Sequence, residues 1–527
     1  MDNSGIKLSR VAAGLALAGA AFASQAQAAT VVKVESGKLS ATGTGPGQVE
    51  VFKGIPYAAP PVGALRWQPP EPPRAWHGVR KADRFGAVCP QFKQTKGSFY
   101  QEEFYPEDEP QSEDCLFLNI WTEGVGQGAG RAAKRPVYVW LHGGGFVEGS
   151  GSIPSFDGSA LARQGVVVVT LNYRMGVFGY LAHPALTADS PRHVSGNYGL
   201  LDQMAALRWV RKNIAAFGGD PARVTVGGQS AGGFSVNALM ASPEAKGLFE
   251  STINESGALL GFAPLPTLAK AEEGGKAYMD ELGASTLAAM RALPAAKLLG
   301  SSLDHYRGGR WGMVVDGQVV PMDPGEAALQ GKLASVVPSL LGGTANEFTS
   351  LVPQIKMKVD DFVNGAKAKY GSRYAEFSRL YPHADEAQAG QALIESGSDK
   401  FFTGQVVWAQ HMGAEKKSTW LYYFDRALPG RDSERYKAFH SSEIVYVFGT
   451  LASVDRPWTV MDRRLSQAML DYWAQFIKTG NPNGEGLVNW RSVGDDPKQV
   501  MELGEHIGMV AMPRAERIGF FESVIEH

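Results

Sequence analysis

Gly228-Gln229-Ser230-Ala231-Gly232 reads G-x-S-x-G and follows the apolar run Arg223-Val224-Thr225-Val226. A serine flanked by small residues, where a strand turns into a helix, sits on a strained turn with its Oγ clear of the backbone. Glycine and serine are common, so the pentapeptide gains weight only from its partners. A serine hydroxyl is a weak nucleophile at neutral pH. It needs a base within hydrogen-bond reach, an acid that fixes the base's tautomer, and donors aimed at the oxyanion.

The rest of the chain offers a candidate for each part. His142-Gly143-Gly144-Gly145-Phe146 directly follows the apolar run at 137–141, and its glycines leave backbone N–H groups uncovered. Such a run reads as one half of an oxyanion hole, the N–H of Ala231 being the other, and each donor is worth about 3–4 kcal/mol in the transition state. Gly342-Gly343-Thr344-Ala345-Asn346-Glu347 follows another apolar run and puts Glu347 on a loop just past a strand. Of the ten histidines, His142 belongs to the glycine loop, while His77, His183, His193, His305, His383, His411, His506 and His527 lack a supporting motif. His440, in Ala438-Phe439-His440-Ser441-Ser442-Glu443-Ile444, comes after the acid. The competing structural readings are a ligand-free glycine turn, a solvated loop glutamate and a core histidine. They weaken because all three parts occur together and in workable order.

These groups need a rigid frame. Apolar runs at 137–141, 166–171, 224–226, 336–341 and 420–424 read as core strands, and the unbroken valines at 166–169 call for burial of both faces. Leu200, Met204, Leu207, Val210 and Ile214 lie on one helical face, with Gly218 and Gly219 to end it. Leu465, Met469, Tyr472, Trp473 and Phe476 form a second such face, stopped by Gly480 and Pro482. Strands alternating with helices predict an α/β fold with a parallel sheet. The proline-dense stretch 51–76 should be irregular and extended. Segments near 258–324 and 357–397 should insert over the sheet as a cap.

The chain of 527 residues has 44% hydrophobic and 20% charged residues and a formal charge of −2, which gives no reason to expect nucleic acid as a partner. Lys7, Arg10, the apolar stretch 11–23 and Ala26-Gln27-Ala28 resemble a signal peptide over 1–28, the alternative being a disordered Ala-rich start. The mature chain, 29–527, would be a single domain, exported to the periplasm or secreted. No apolar run is long enough to span a bilayer. The two cysteines, Cys89 and Cys115, suggest one disulfide closing a loop of about 25 residues, worth roughly 3–4 kcal/mol. The alternative is two buried thiols. Two cysteines without clustered histidines argue against a metal site. Asn254-Glu255-Ser256 fits a glycosylation sequon but falls where burial is expected.

With these residues in view, the chain resembles the type-B carboxylesterases, the family of para-nitrobenzyl esterases and cholinesterases, over nearly all of 29–527. The resemblance also rests on Phe52-Lys53-Gly54-Ile55-Pro56-Tyr57-Ala58, Pro60-Pro61-Val62-Gly63-Ala64-Leu65-Arg66-Trp67, Glu113-Asp114-Cys115-Leu116-Phe117-Leu118-Asn119, Asn172-Tyr173-Arg174 and Gly199-Leu200-Leu201-Asp202-Gln203. It implies an α/β-hydrolase fold, with a large, mostly parallel mixed sheet flanked by helices and cap insertions over a gorge. It implies Ser230 as nucleophile, Glu347 as acid and His440 as base, and the N–H groups of Gly144, Gly145 and Ala231 as oxyanion hole. It pairs Cys89 with Cys115 and puts Ser256 and Glu443 in a polar layer behind the histidine.

The chain departs from the family in three places. Gln229 stands where many members carry glutamate beside the nucleophile. The loop between the cysteines has no tryptophan, which cholinesterases use to hold quaternary ammonium by cation–π contact. Its Phe92, Phe99, Tyr100, Phe104 and Tyr105 could stack on substrate or only pack the lid. Ser441 replaces the usual glycine after the base. The first two argue against choline esters. The expected reaction is hydrolysis of a small-molecule carboxylic ester through an acyl-enzyme, without cofactor or metal. The alternatives are a catalytically inactive esterase-like binding protein, or a specialised hydrolase such as an amidase or a detoxifying esterase for a bulky ester. Oligomeric state is not readable from the sequence.

Overall fold

The computed structural model describes the chain except residues 2–29, 43–47, 106–108, 124, 126–133, 262–263, 301–310, 353–355, 417 and 527. The leader read at 1–28 thus lies, apart from Met1, outside the described residues, as do His305 and His527. In chain order the described strands are β1 (Val31–Val34), β2 (Gly37–Ser40), β3 (Val49–Pro56), β4 (Val79–Lys81), β5 (Phe117–Glu123), β6 (Arg135–Leu141), β7 (Val167–Leu171), β8 (Gly219–Gln229), β9 (Ser251–Glu255), β10 (Ser339–Thr344), β11 (Thr419–Phe424), β12 (Gln499–Leu503) and β13 (Ile507–Ala511). Ten of them form one sheet in the order β13-β12-β11-β10-β9-β8-β6-β7-β5-β3, and β1, β2 and β4 form a small separate sheet.

From β7 to β12 every neighbour is parallel. The edges are antiparallel, β13 on one side and β5 with β3 on the other. All residues of β7, β9, β10 and β11 are buried, because helices cover both faces of a parallel sheet. This is the α/β-hydrolase architecture.

The helical faces are where periodicity put them. Helix Tyr198–Asn213 buries Leu200, Met204, Leu207 and Val210, runs into a tight turn containing Ile214, and ends at Gly218 with φ 80°. Helix Val460–Thr479 buries Leu465, Met469, Tyr472, Trp473 and Phe476. It starts on a reciprocal Thr459–Asp462 cap and stops at Gly480 with φ 73°.

Three expectations need correction. The run at 336–341 becomes a strand only from Ser339, since Pro338 has no N–H to give a ladder. The strand expected at 224–226 extends from Gly219 to Gln229, because Gly219 already pairs with Arg135 across a register shift. The stretch 51–76 is not irregular throughout. Its first residues, to Pro56, belong to β3 and pair with β5 around an irregularity between Phe52 and Ile55.

Between 258 and 324 lie the helices Leu268–Glu281, Leu287–Ala292 and Ala295–Leu299. Between 357 and 397 lie Val359–Tyr370, Tyr374–Leu380 and the start of the long helix Glu386–Lys416, which packs on β10 and β11. Phe362, Phe377 and Tyr381 of the latter region form a second core of their own with Phe520 and Phe521 of helix Ala515–Ile525. Cys89 and Cys115 are joined by a disulfide. Among the described residues no helix is long and apolar enough to cross a membrane.

The Asn-Tyr-Arg and Gly-Leu-Leu-Asp-Gln motifs meet in one buried ion pair. Arg174 Nε and Nη2 each donate to Asp202 at 2.8 Å, and the Arg174 N–H adds a third bond at 3.0 Å. Removing one partner of such a pair leaves a buried, unpaired charge. Asp202→Ala should therefore cost about 3–5 kcal/mol in urea denaturation, and a loss below about 1 kcal/mol would contradict this reading of the pair.

Candidate active site

Ser230 directly follows β8 and precedes helix Ala231–Ala241, with φ 56° and ψ −122°. That is a costly conformation for a residue with a Cβ, and surrounding contacts must hold it. The Ser230 N–H donates to Glu255 O at 2.9 Å, and Ser230 O accepts from the Phe234 N–H at 2.8 Å. Two residues on, a side chain at Gly232 would run into the carbonyl oxygen of Leu141 at the end of β6, so the turn closes only with glycine there. The hydroxyl of Ser230 makes no hydrogen bond among the described residues and faces a cavity of about 640 Å³.

The glycine loop lies beside it at the end of β6. Gly144 has φ 107°, and a Cβ there would collide with the carbonyl of Glu148. The N–H groups of Gly144, Gly145 and Ala231 donate to no protein acceptor among the described residues. His142 serves the loop rather than the cavity. Its ring stacks on Tyr173 at 4.4 Å, Nδ1 meets Gly143 O at 2.8 Å, and burial lowers its pKa to about 4, so it stays neutral.

Glu347 and His440 come from loops 93 residues apart. A parallel bridge between Asn346 and Phe439 pins them, with the Asn346 N–H donating to Ala438 O at 3.0 Å. His440 Nδ1 then lies 2.5 Å from Glu347 Oε2. The other carboxylate oxygen accepts from Ser256 Oγ at 2.6 Å and from the Thr344 N–H at 2.8 Å. With the Nδ1 proton given to Glu347, Nε2 carries the lone pair.

That lone pair does not meet Ser230 directly in this structure. The Gln229 side-chain amide sits 3.2 Å from His440 Nε2 and donates to it. Phe401 packs edge-on against the imidazole at 5.6 Å. Ser441 has φ 77°, in the left-handed region that favours glycine.

Behind the pair lie two further buried acids. Ser256 Oγ is 3.4 Å from Glu443 Oε1, and Trp473 Nε1 donates to Glu255 Oε1 at 2.8 Å. The second oxygens of Glu255 and Glu443 have no partner among the described residues. Burial raises Glu255 to about 8, offset in part by the Trp473 bond. Burial, then the charges of Glu255 and Glu347, push Glu443 well above the usual carboxylate range. In both, burial favours the neutral acid over the carboxylate. In the sequence Glu255 stands out only as the middle of a sequon. No further signal marks it, because β9 reads Ser-Thr-Ile-Asn-Glu and its burial is not visible as an apolar run.

The aromatics of the disulfide loop stack mainly on protein. Phe99 lies on Tyr436 at 3.9 Å and edge-on to Phe439 at 4.8 Å, Tyr100 packs on Phe104, and the Tyr100 hydroxyl is 2.8 Å from Ser350 Oγ. Their short helix, Phe99–Phe104, is tied down by Arg456, whose Nη2 donates to Glu103 at 2.7 Å. They line the cavity as a wall.

Residues 28–521 match the Carboxylesterase family. The fumonisin B1 esterase of Sphingopyxis macrogoltabida is 36% identical over 88% of this chain and 84% of its own length. The para-nitrobenzyl esterase of Bacillus subtilis is 36% identical over 92% of this chain and 97% of its own. Among solved structures, a Geobacillus stearothermophilus carboxylesterase superposes with a TM-score of 0.80 at 35% identity, covering 93% of this chain and 100% of that one.

The buried acids make a pH-dependent contribution to stability. Glu255 ionises near 4.5 in an unfolded chain but only near 8 when folded, so the unfolded state releases its proton first as pH rises. Its contribution is full below about 4.5, falls up to about 8 and is level beyond. Glu255→Gln, whose amide oxygen can still accept from Trp473, should lose less stability than the parent between those two pH values. Denaturation midpoints at both ends measure this, and equal losses would contradict it.

Proposed function

The chain belongs to the carboxylesterase family and is a carboxylic ester hydrolase, and from that premise we propose that Ser230, Glu347 and His440 are its nucleophile, acid and base. One observation carries the proposal. The 2.5 Å contact between His440 Nδ1 and Glu347 favours the tautomer in which Nε2 is unprotonated, at the edge of the cavity that Ser230 faces.

In the proposed reaction an ester enters that cavity and the Gln229 amide gives up its hold on Nε2. His440 then accepts the Ser230 proton as Oγ attacks the carbonyl carbon. Catalytic hydrogen bonds often form only in the substrate complex. The oxyanion is received by the N–H groups of Gly144, Gly145 and Ala231, for which no protein acceptor competes among the described residues. His440 passes its proton to the departing alcohol, leaving an acyl group on Ser230. Water, deprotonated by the same imidazole, releases the acid. Glu347 stays ionised throughout and stabilises the imidazolium. The neutral amide of Gln229 beside the nucleophile and the absence of tryptophan between the cysteines favour neutral or anionic esters over choline esters.

We also propose that the chain is exported after removal of residues 1–28, a reading that the Cys89–Cys115 disulfide supports. N-terminal sequencing of the exported protein should begin at Ala29, and a protein that keeps its start at Met1 would contradict export by this leader.

Ser230→Ala should fold as the parent does yet lose roughly 10^4-fold or more in p-nitrophenyl ester turnover. Turnover near the parent's would refute the assignment. Across butyrate esters, kcat/KM for choline should fall well below that for p-nitrophenol, and a preference for choline would overturn the selectivity reading.

A further inference from the structure

A second cavity, of about 570 Å³, lies in the outer core between helices Val359–Tyr370, Tyr374–Leu380 and Glu386–Lys416. Its volume is in the range of ligand pockets. Its walls are mostly apolar, with Phe362 and Phe377 on the outer side and Phe348 and Phe401 toward the site described above. Phe401 is shared. It lines both cavities and touches the imidazole of His440.

Two amines also line it. Lys369, in the last turn of its helix, is exposed, and Lys400 is half-buried. Among the described residues neither has a carboxylate within ion-pair distance. Burial, and after it the charge of Lys369, lower Lys400 to about 8. Asp361 lines the cavity as well, but eight residues from Lys369 on the same helix, about 12 Å along its axis. An apolar chamber bearing an unneutralised pair of amines is complementary to a molecule with a hydrocarbon tail and one anionic head.

We propose that this cavity is a binding site for an aliphatic carboxylate, its tail between Phe362, Phe377 and Phe401 and its head on Lys369 and Lys400. The site is separate from the reacting centre and does not rest on the roles proposed for Ser230, Glu347 and His440. Because Phe401 forms its inner wall, an occupant would touch the ring that packs on His440.

Calorimetric titration with decanoate and with decanol tests this on the whole protein. Lys369→Gln with Lys400→Gln should weaken decanoate binding at least about tenfold and leave decanol within about threefold, since only the head loses its partners. Gly365→Leu should weaken both. Gly365 lines the cavity and a Cβ there meets nothing within 4 Å, so a leucine fits at its wall without a clash. Hydrolysis of p-nitrophenyl acetate at the parent's rate shows that the variants are folded. Parent-like decanoate binding in the double lysine variant, or no saturable decanoate binding by the parent, would overturn the proposal.

Discussion

The Glu347–His440 contact is the constraint on which the rest of the site depends. A carboxylate with no exposure to solvent is costly unless its lone pairs are satisfied. Glu347 meets this with three donors from three parts of the chain, the imidazole, the Ser256 hydroxyl and the Thr344 N–H. The Asn346–Phe439 bridge supplies the register, and β10 supplies a rigid base for the acid's loop. Without that backbone pairing, two loops so far apart in sequence would have to be ordered by side chains alone, at a large entropic cost.

In the layer behind the pair, burial disfavours the ionised forms of Glu255 and Glu443, which limits the negative charge next to Glu347. Glu255 also links this layer to the nucleophile, because its backbone oxygen accepts from the N–H of Ser230. The strained serine, the second acid layer and helix Val460–Thr479 are thus connected through one residue at the end of β9.

Much of this was legible in the sequence where local chemistry is demanding. The elbow around Ser230 needs small residues because Gly232 passes against the carbonyl of Leu141, and such steric demands leave a fixed pattern in the chain. The glycine loop at 143–145 and the loop carrying Glu347 are marked by their position after apolar strands, and His440 by its place after the acid in the chain. Contacts made only by tertiary packing were not legible. Nothing in the sequence says that the Gln229 amide would occupy His440 Nε2, or that Arg456 would pin the short helix at 99–104 through Glu103. β3 was hidden by the prolines after it, since an edge strand next to irregular chain carries a weak alternation signal. The second core was equally hidden, because it is completed by Phe520 and Phe521 of the C-terminal helix Ala515–Ile525, far along the chain from the rest.

The most direct measurement is the site of covalent labelling by a fluorophosphonate, read by mass spectrometry of the digested protein. If the lone pair on His440 serves the hydroxyl at the elbow, a single adduct forms and maps to Ser230. An adduct on another residue, or an unlabelled protein that still turns over esters, would contradict the account.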